Sequence, residues 1–310
     1  MRFAVVVMIA MASISVSRAQ STHPVPRIPV VFGDDSVLEL VRDGFVFTEG
    51  PVGTADGGLY FTDTGIQPTR VYRLAPDGQI RLLRDDLNRA NGLALARSGA
   101  LLAAESNGGR VIRVEADGTV VPLVAQSADG RALINPNDLI ADRRGGIYFT
   151  DFVRAQRDAP AYVYFVPPGA RQALVLSSEI RRPNGLSLTE DERTLIVDDT
   201  FGNIVYAFDI QPDGSAGSGR PFATLRDIPP GGISGADGLT IDQAGRVYVA
   251  TGVGVQIFDR SGQYLGTLAV PGGPTNVAFS GPDKRTLYIT ARTGLYRIRT
   301  VTQGLSRLGK

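Results

Sequence analysis

An internal repeat constrains this chain more than any other feature. A turn followed by an apolar strand recurs six times, at 58–63, 99–104, 146–151, 193–198, 245–250 and 285–290. The first copy reads Gly58-Leu59-Tyr60-Phe61-Thr62-Asp63 and the third Gly146-Ile147-Tyr148-Phe149-Thr150-Asp151. A second strand follows each, such as Val71-Tyr72-Arg73-Leu74, and several copies then turn at Asp-Gly: Asp77-Gly78, Asp117-Gly118 and Asp213-Gly214. Alternating apolar strands joined by such turns are antiparallel hairpins. The 276 residues from 35 to 310 divide into six units of 46, the length of a four-stranded blade without a helical insertion. The expected fold is all-β, a six-bladed β-propeller with four-stranded antiparallel blades over 35–310. The stretch 36–41 is expected to pair into the last blade and close the ring, because an unpaired edge strand invites association.

The amino terminus has a different character. Arg2 is followed by an apolar run from Phe3 to Ile14, too short to span a bilayer, and then by small residues at Ser17 and Ala19. This pattern predicts a secretory signal peptide over 1–19, cut after Ala19, and an exported protein, periplasmic or secreted. Residues 20–34 are proline-rich and read as an extended leader. The chain has no cysteine, so no disulfide supports it after export. With 32 basic and 31 acidic residues, it has no electrostatic footprint for nucleic acid or an anionic membrane. The expected partner is a small molecule.

A short way before each repeat strand stands a polar residue: Glu49, Asn91, Asn137, Asn184, Asp237 and Asn276. The innermost strands of a propeller line one channel, so equivalent positions form a ring. Turn preference explains an Asn or Asp at one or two of these places. It does not explain Glu49, which precedes Gly50-Pro51. Polar side chains facing an enclosed channel are costly unless satisfied, and a hard cation satisfies oxygen donors directly. Carboxylate and amide oxygens suit one divalent ion, Ca²⁺ in preference to Mg²⁺, Mn²⁺ or Zn²⁺. The single histidine, His23, lies in the leader. Ser-His-Asp and Cys-His chemistry are thereby excluded, and an enzyme of this kind must work through metal and carboxylates.

The motifs Phe47-Thr48-Glu49-Gly50-Pro51, Pro136-Asn137-Asp138-Leu139, Arg182-Pro183-Asn184-Gly185-Leu186 and Ala236-Asp237-Gly238-Leu239 occur in order along the chain. Together they resemble the SMP-30/gluconolactonase/luciferin-regenerating-enzyme family from about residue 40 to 300. The resemblance implies a metal-dependent hydrolase of lactones or related esters. It also implies Glu49, Asn184 and Asp237 as metal ligands, joined by Asn137 at the metal or the substrate, and Asp237 as catalytic base or nucleophile. Asn135 takes the place of an arginine that sugar lactonases often carry against substrate, and Gly53 that of a frequent tryptophan. Asp138 and Asp199 are further candidates for supporting carboxylates. Asp199 also reads as a turn residue before Gly202, and Asp138 as a partner inside the blade. The competing expectation is a non-catalytic propeller that presents its loops to a peptide or glycan.

Overall fold

The computed structural model describes residues 24–154, 156 and 158–306. The expected signal peptide and His23 lie outside them. The described residues form 22 strands and no α-helix. Four sheets have four strands each. They comprise β5 (Ala90–Leu95) to β8 (Val120–Val124), β9 (Pro136–Ala141) to β12 (Leu174–Ser177), β13 (Pro183–Leu188) to β16 (Arg220–Thr224), and β17 (Leu239–Ile241) to β20 (Tyr264–Leu268). The fifth has six strands in the order β21-β22-β1-β2-β3-β4, with β1 at Leu38–Gly53, β2 at Leu59–Asp63, β3 at Thr69–Leu74, β4 at Ile80–Leu87, β21 at Asn276–Ser280 and β22 at Thr286–Arg299.

The architecture is a β-propeller of four-stranded units, but the described sheets number five where six separate ones were expected. The first and last repeats run together. Leu38 to Asp43 of β1 pairs with Gly294 to Ile298 of β22, and Thr48 to Gly53 pairs with β2. The Asp43-Gly44 step resembles a turn in sequence, yet Gly44 takes φ +94° inside the strand and the chain continues without a break. Ring closure by the amino-terminal strand is thus present, and it fuses two repeats. The leader also differs from a free extension over its described part. Ile28, Val31 and Phe32 are buried against Tyr248, Leu268 and Phe279, and Val31 O accepts from Val301 N at 2.9 Å.

Strands β1, β5, β9, β13, β17 and β21 touch one another in that order, and β21 returns to β1. Between consecutive repeats the outward apolar positions interlock in hydrophobic clusters, such as Phe149 and Tyr164 with Leu102, or Leu59 and Phe61 with Leu295. Nearer the axis hydroxyls join neighbours. Thr62 Oγ1 donates to Asn91 O at 3.0 Å, Thr150 Oγ1 to Asn184 O at 2.8 Å, and Thr275 Oγ1 to Thr48 O at 2.8 Å.

The glycine that follows a ring residue is a packing requirement. A Cβ on Gly185 would overlap Asp237 O, and one on Gly238 would overlap the Asn276 amide. Gly185→Ala should therefore destabilise the fold by about 1–3 kcal/mol, the usual cost of overpacking. Gly217, with nothing within 4 Å of its added Cβ, should tolerate alanine with almost no change. Thermal unfolding of the two variants checks this.

Candidate functional site

Register shifts place the ring residues. The ladder slips between Glu49 and Val52, between Ala90 and Leu93, between Pro183 and Leu186, and opposite Asn137–Asp138. Each slip is a bulge that turns one side chain away from the ordinary alternation. Glu49, Asn91, Asn137, Asn184 and Asn276 are all buried, and Asp237, just before β17, keeps partial exposure.

The two carboxylates, Glu49 and Asp237, share one space. Burial first, and then the charge of Glu49, hold the Asp237 carboxyl well above the usual carboxylate range; Arg154, the Asn184 amide and Arg182 act in the opposite direction. Glu49 Oε2 accepts from Gly50 N at 3.0 Å and from Asn276 Nδ2 at 3.2 Å. Asn184 Nδ2 donates to Thr200 Oγ1 at 3.1 Å, which fixes the amide plane, while Asn184 Oδ1 is buried without a hydrogen-bond partner. A hard cation fits this arrangement. It would satisfy the orphaned amide oxygen and cancel the repulsion between the carboxylates. The set has only two carboxylates, and no group of three or more His, Cys, Asp or Glu stands at metal-binding spacing among the described residues.

The expected ring is not uniform. Asn276 Oδ1 accepts from its neighbour Val277 N at 2.9 Å. Its Nδ2 faces Glu49 Oε2 and Asp138 Oδ2, the latter at 3.4 Å, so it orients carboxylates. Asp138 is buried, with Oδ1 accepting from Leu139 N at 3.0 Å, and so does reach the ring.

Asp199 does something else. Its Oδ1 accepts from Arg182 N at 3.1 Å and Phe201 N at 3.0 Å. Asp63, Glu105 and Asp151 occupy the same repeat position and hold Phe47 N, Asn88 N and Asn135 N in the same way. This is a loop-fastening position, in line with the turn reading. Asn135 is similarly occupied, its Nδ2 donating to Ser106 O at 3.0 Å and Ile134 O at 2.7 Å.

The carboxylate that sequence reasoning missed is Asp198. Other repeats have Thr62, Ala104, Thr150, Ala250 and Thr290 at this position, so a lone charge there is a legible signal. Asp198 is 0% exposed; Oδ1 accepts from Gly185 N at 3.1 Å and Oδ2 is without a partner. Burial and then the charge of Asp237 push it well above the usual carboxylate range.

A surface cleft lined by Ala96, Arg97, Gly145 and Arg171 lies at the hairpin turns of the opposite end.

A carboxyl group whose folded pKa is raised binds its proton more tightly in the native state than in the unfolded chain. Its penalty therefore appears as pH rises from about 3.8 through the higher folded value. Metal-free protein should lose stability over that rise. Asp198→Asn should flatten the dependence and raise Tm at neutral pH, as melting curves in chelator across the range will show.

Comparison with known proteins shows the family and the fold. Residues 47–293 match the family described as the SMP-30/Gluconolactonase/LRE-like region. A gluconolactonase of Zymomonas mobilis is 25% identical over 308 aligned residues, covering 90% of this chain and 85% of its own. The solved structure of a gluconolactonase from Xanthomonas campestris superposes with a TM-score of 0.79 at 30% identity, covering 91% of this chain and 96% of that one. Regucalcin of Agrobacterium tumefaciens, a calcium-binding protein, shares the fold at a TM-score of 0.72 and 20% identity, over 87% of this chain and 97% of its own.

Proposed function

This chain belongs to the SMP-30/gluconolactonase/LRE-like family, and we propose that it is a divalent-metal-dependent lactonase acting where the ring residues converge. The observation that carries this reading is the buried, unpartnered Asn184 Oδ1 beside a pair of mutually repelling carboxylates. The lactonase relatives supply the reaction class. In this reading the six-stranded sheet serves as two blades sharing β1 and β22, so that six inner strands surround the channel. The closed order of those strands supports it.

Glu49, Asn184 and Asp237 would hold the ion, with Asn137 joining them or meeting the substrate. Ca²⁺ is the preferred occupant, given all-oxygen donors and the calcium-binding relative, ahead of Mg²⁺, Mn²⁺ or Zn²⁺. When bound, the ion supplies a Lewis acid for the lactone carbonyl. Asp237 accepts a proton from the attacking water. The water oxygen bonds to the carbonyl carbon, the ring C–O bond breaks, and Asp237 returns its proton to the ring oxygen, which leaves as the hydroxyl of a hydroxy acid. Asn276 holds Glu49 in place, Thr200 orients Asn184, and Asn135 forms part of the wall. Export follows from residues 1–19, and amino-terminal sequencing of secreted material should begin at or next to Gln20.

A lactone and ester panel, run with chelator and after return of each ion, tests the activity. Hydrolysis should vanish in chelator and return with Ca²⁺; unchanged turnover in chelator sinks the metal reading, and no turnover of any substrate favours a binding propeller. Asp237→Asn should lower kcat by roughly 10²–10⁴ even at saturating ion. Activity of Glu49→Gln should return largely at high ion. Full recovery of Asp237→Asn by added ion would reduce Asp237 to a ligand.

A further inference from the structure

Above the ring lies a second layer. Two residues before the six ring positions stand Phe47, Arg89, Asn135, Arg182, Gly235 and Pro274. Arg89 and Arg182 are therefore equivalent residues of the second and fourth repeats. The third repeat has Asn135 at that place, and brings in an arginine by another route. The loop after β10 (Ile147–Phe152) carries Arg154, whose carbonyl accepts from Arg182 Nη2 at 3.1 Å. The Arg182 guanidinium lies over Phe152 and Phe201, at 4.5 and 4.6 Å from the ring centres, and is held flat between fixed surfaces. The Nε of Arg89 and the Nε of Arg154 are each buried without a hydrogen-bond partner. Three consecutive repeats thus converge cations at one side of the channel mouth.

Their charges do not balance once the site is loaded. Arg154 feels burial first, then Arg89, against the attraction of Glu49 and Asp237, and its pKa is lowered. Those two carboxylates are the ones a divalent ion would neutralise. With the ion in place, Arg154 keeps its charge and loses the attraction of Glu49 and Asp237. Buried donors without acceptors cost free energy, and planar guanidinium forks match carboxylate and phosphate oxygens.

We propose that Arg89, Arg154 and Arg182 form an anion subsite, and that the natural substrate is a lactone bearing a carboxylate or phosphate, held there while its ring carbonyl faces Asp237. This rests on the lactonase reading and narrows its substrate class.

The test compares kcat/KM for glucarolactone, which carries a carboxylate, phosphogluconolactone and neutral gluconolactone. It uses wild type, Arg154→Gln, Arg154→Lys and Arg89→Gln, each first shown to be folded by its melting curve. Calorimetric binding of glucarate, with neutral glucitol as reference, runs in parallel. Wild type should favour an anionic lactone, and the preferred one identifies the anion. Arg154→Gln should cut that preference by roughly tenfold to a hundredfold, as for loss of a hydrogen bond to a charged group. Arg154→Lys should keep part of it, and Arg89→Gln should repeat the loss if Arg154 variants do not fold. Equal kcat/KM for charged and neutral lactones, or a preference left intact in both glutamine variants, overturns the subsite. Glucarate binding that weakens in Arg154→Gln without any lactone turnover upholds the subsite and overturns the lactonase reading alone.

Discussion

Glu49 from the first repeat, buried, and Asp237 from the fifth, partly exposed, meet at the centre of the ring, and their repulsion is the constraint around which the centre of this molecule is built. Asn276 donates to Glu49, the Asn184 amide supports Asp237, and Arg154 lies within electrostatic reach of both. None of these contacts removes the cost completely, as the raised Asp237 shows. Asp198 lies behind them with one oxygen unpartnered, a further buried acid in the same region. Buried charge of this kind persists only where something compensates it. In the proposed reading a cation at the ring would do so for the acids, and an anion at the mouth for the arginines.

The frame follows from the same close approach. Where glycine follows the ring residue, as at Gly185 and Gly238, the neighbouring strand leaves no room for a Cβ. Bulges beside Glu49, Asn91, Asn137 and Asn184 aim the donors inward, and carboxylates at the ends of the second strands fasten the preceding loops. Asp63, Asp151 and Asp199 accept backbone N–H groups from segments sixteen or seventeen residues earlier in the chain. One repeated unit therefore supplies both the scaffold and the position of the chemistry.

Much of this was legible because the repeat aligns equivalent residues. Glu49, Asn137, Asn184 and Asp237 stand out by position as well as by motif, and the structure gathers them at one end of the inner strands. Asp199 drew attention through its neighbourhood, while Asp198 beside it was the exception to its column. Comparing each residue with its five counterparts separates the two. The fused sheet was less legible, since Asp43-Gly44 carries the chemistry of a turn and Gly44 does take a positive φ, while pairing with β22 on one side and β2 on the other carries the strand through it. Arg154 could not be placed from sequence, because a loop conformation decides where it points. The buried Ile28, Val31 and Phe32 were hidden by the prolines around them, whose composition suggests a spacer.

The central claim is that residues from separate repeats hold one cation and that this tie stabilises the fold. Thermal unfolding of the metal-loaded protein against the same sample in chelator tests it most directly, with Asn184→Ala alongside. Ligand that binds only the native state adds about 2.7 kcal/mol at a hundredfold excess over its dissociation constant. The account predicts a clear fall in Tm on chelation of wild type and a much smaller one in Asn184→Ala. Coincident curves for a wild-type sample shown to contain metal beforehand would contradict it.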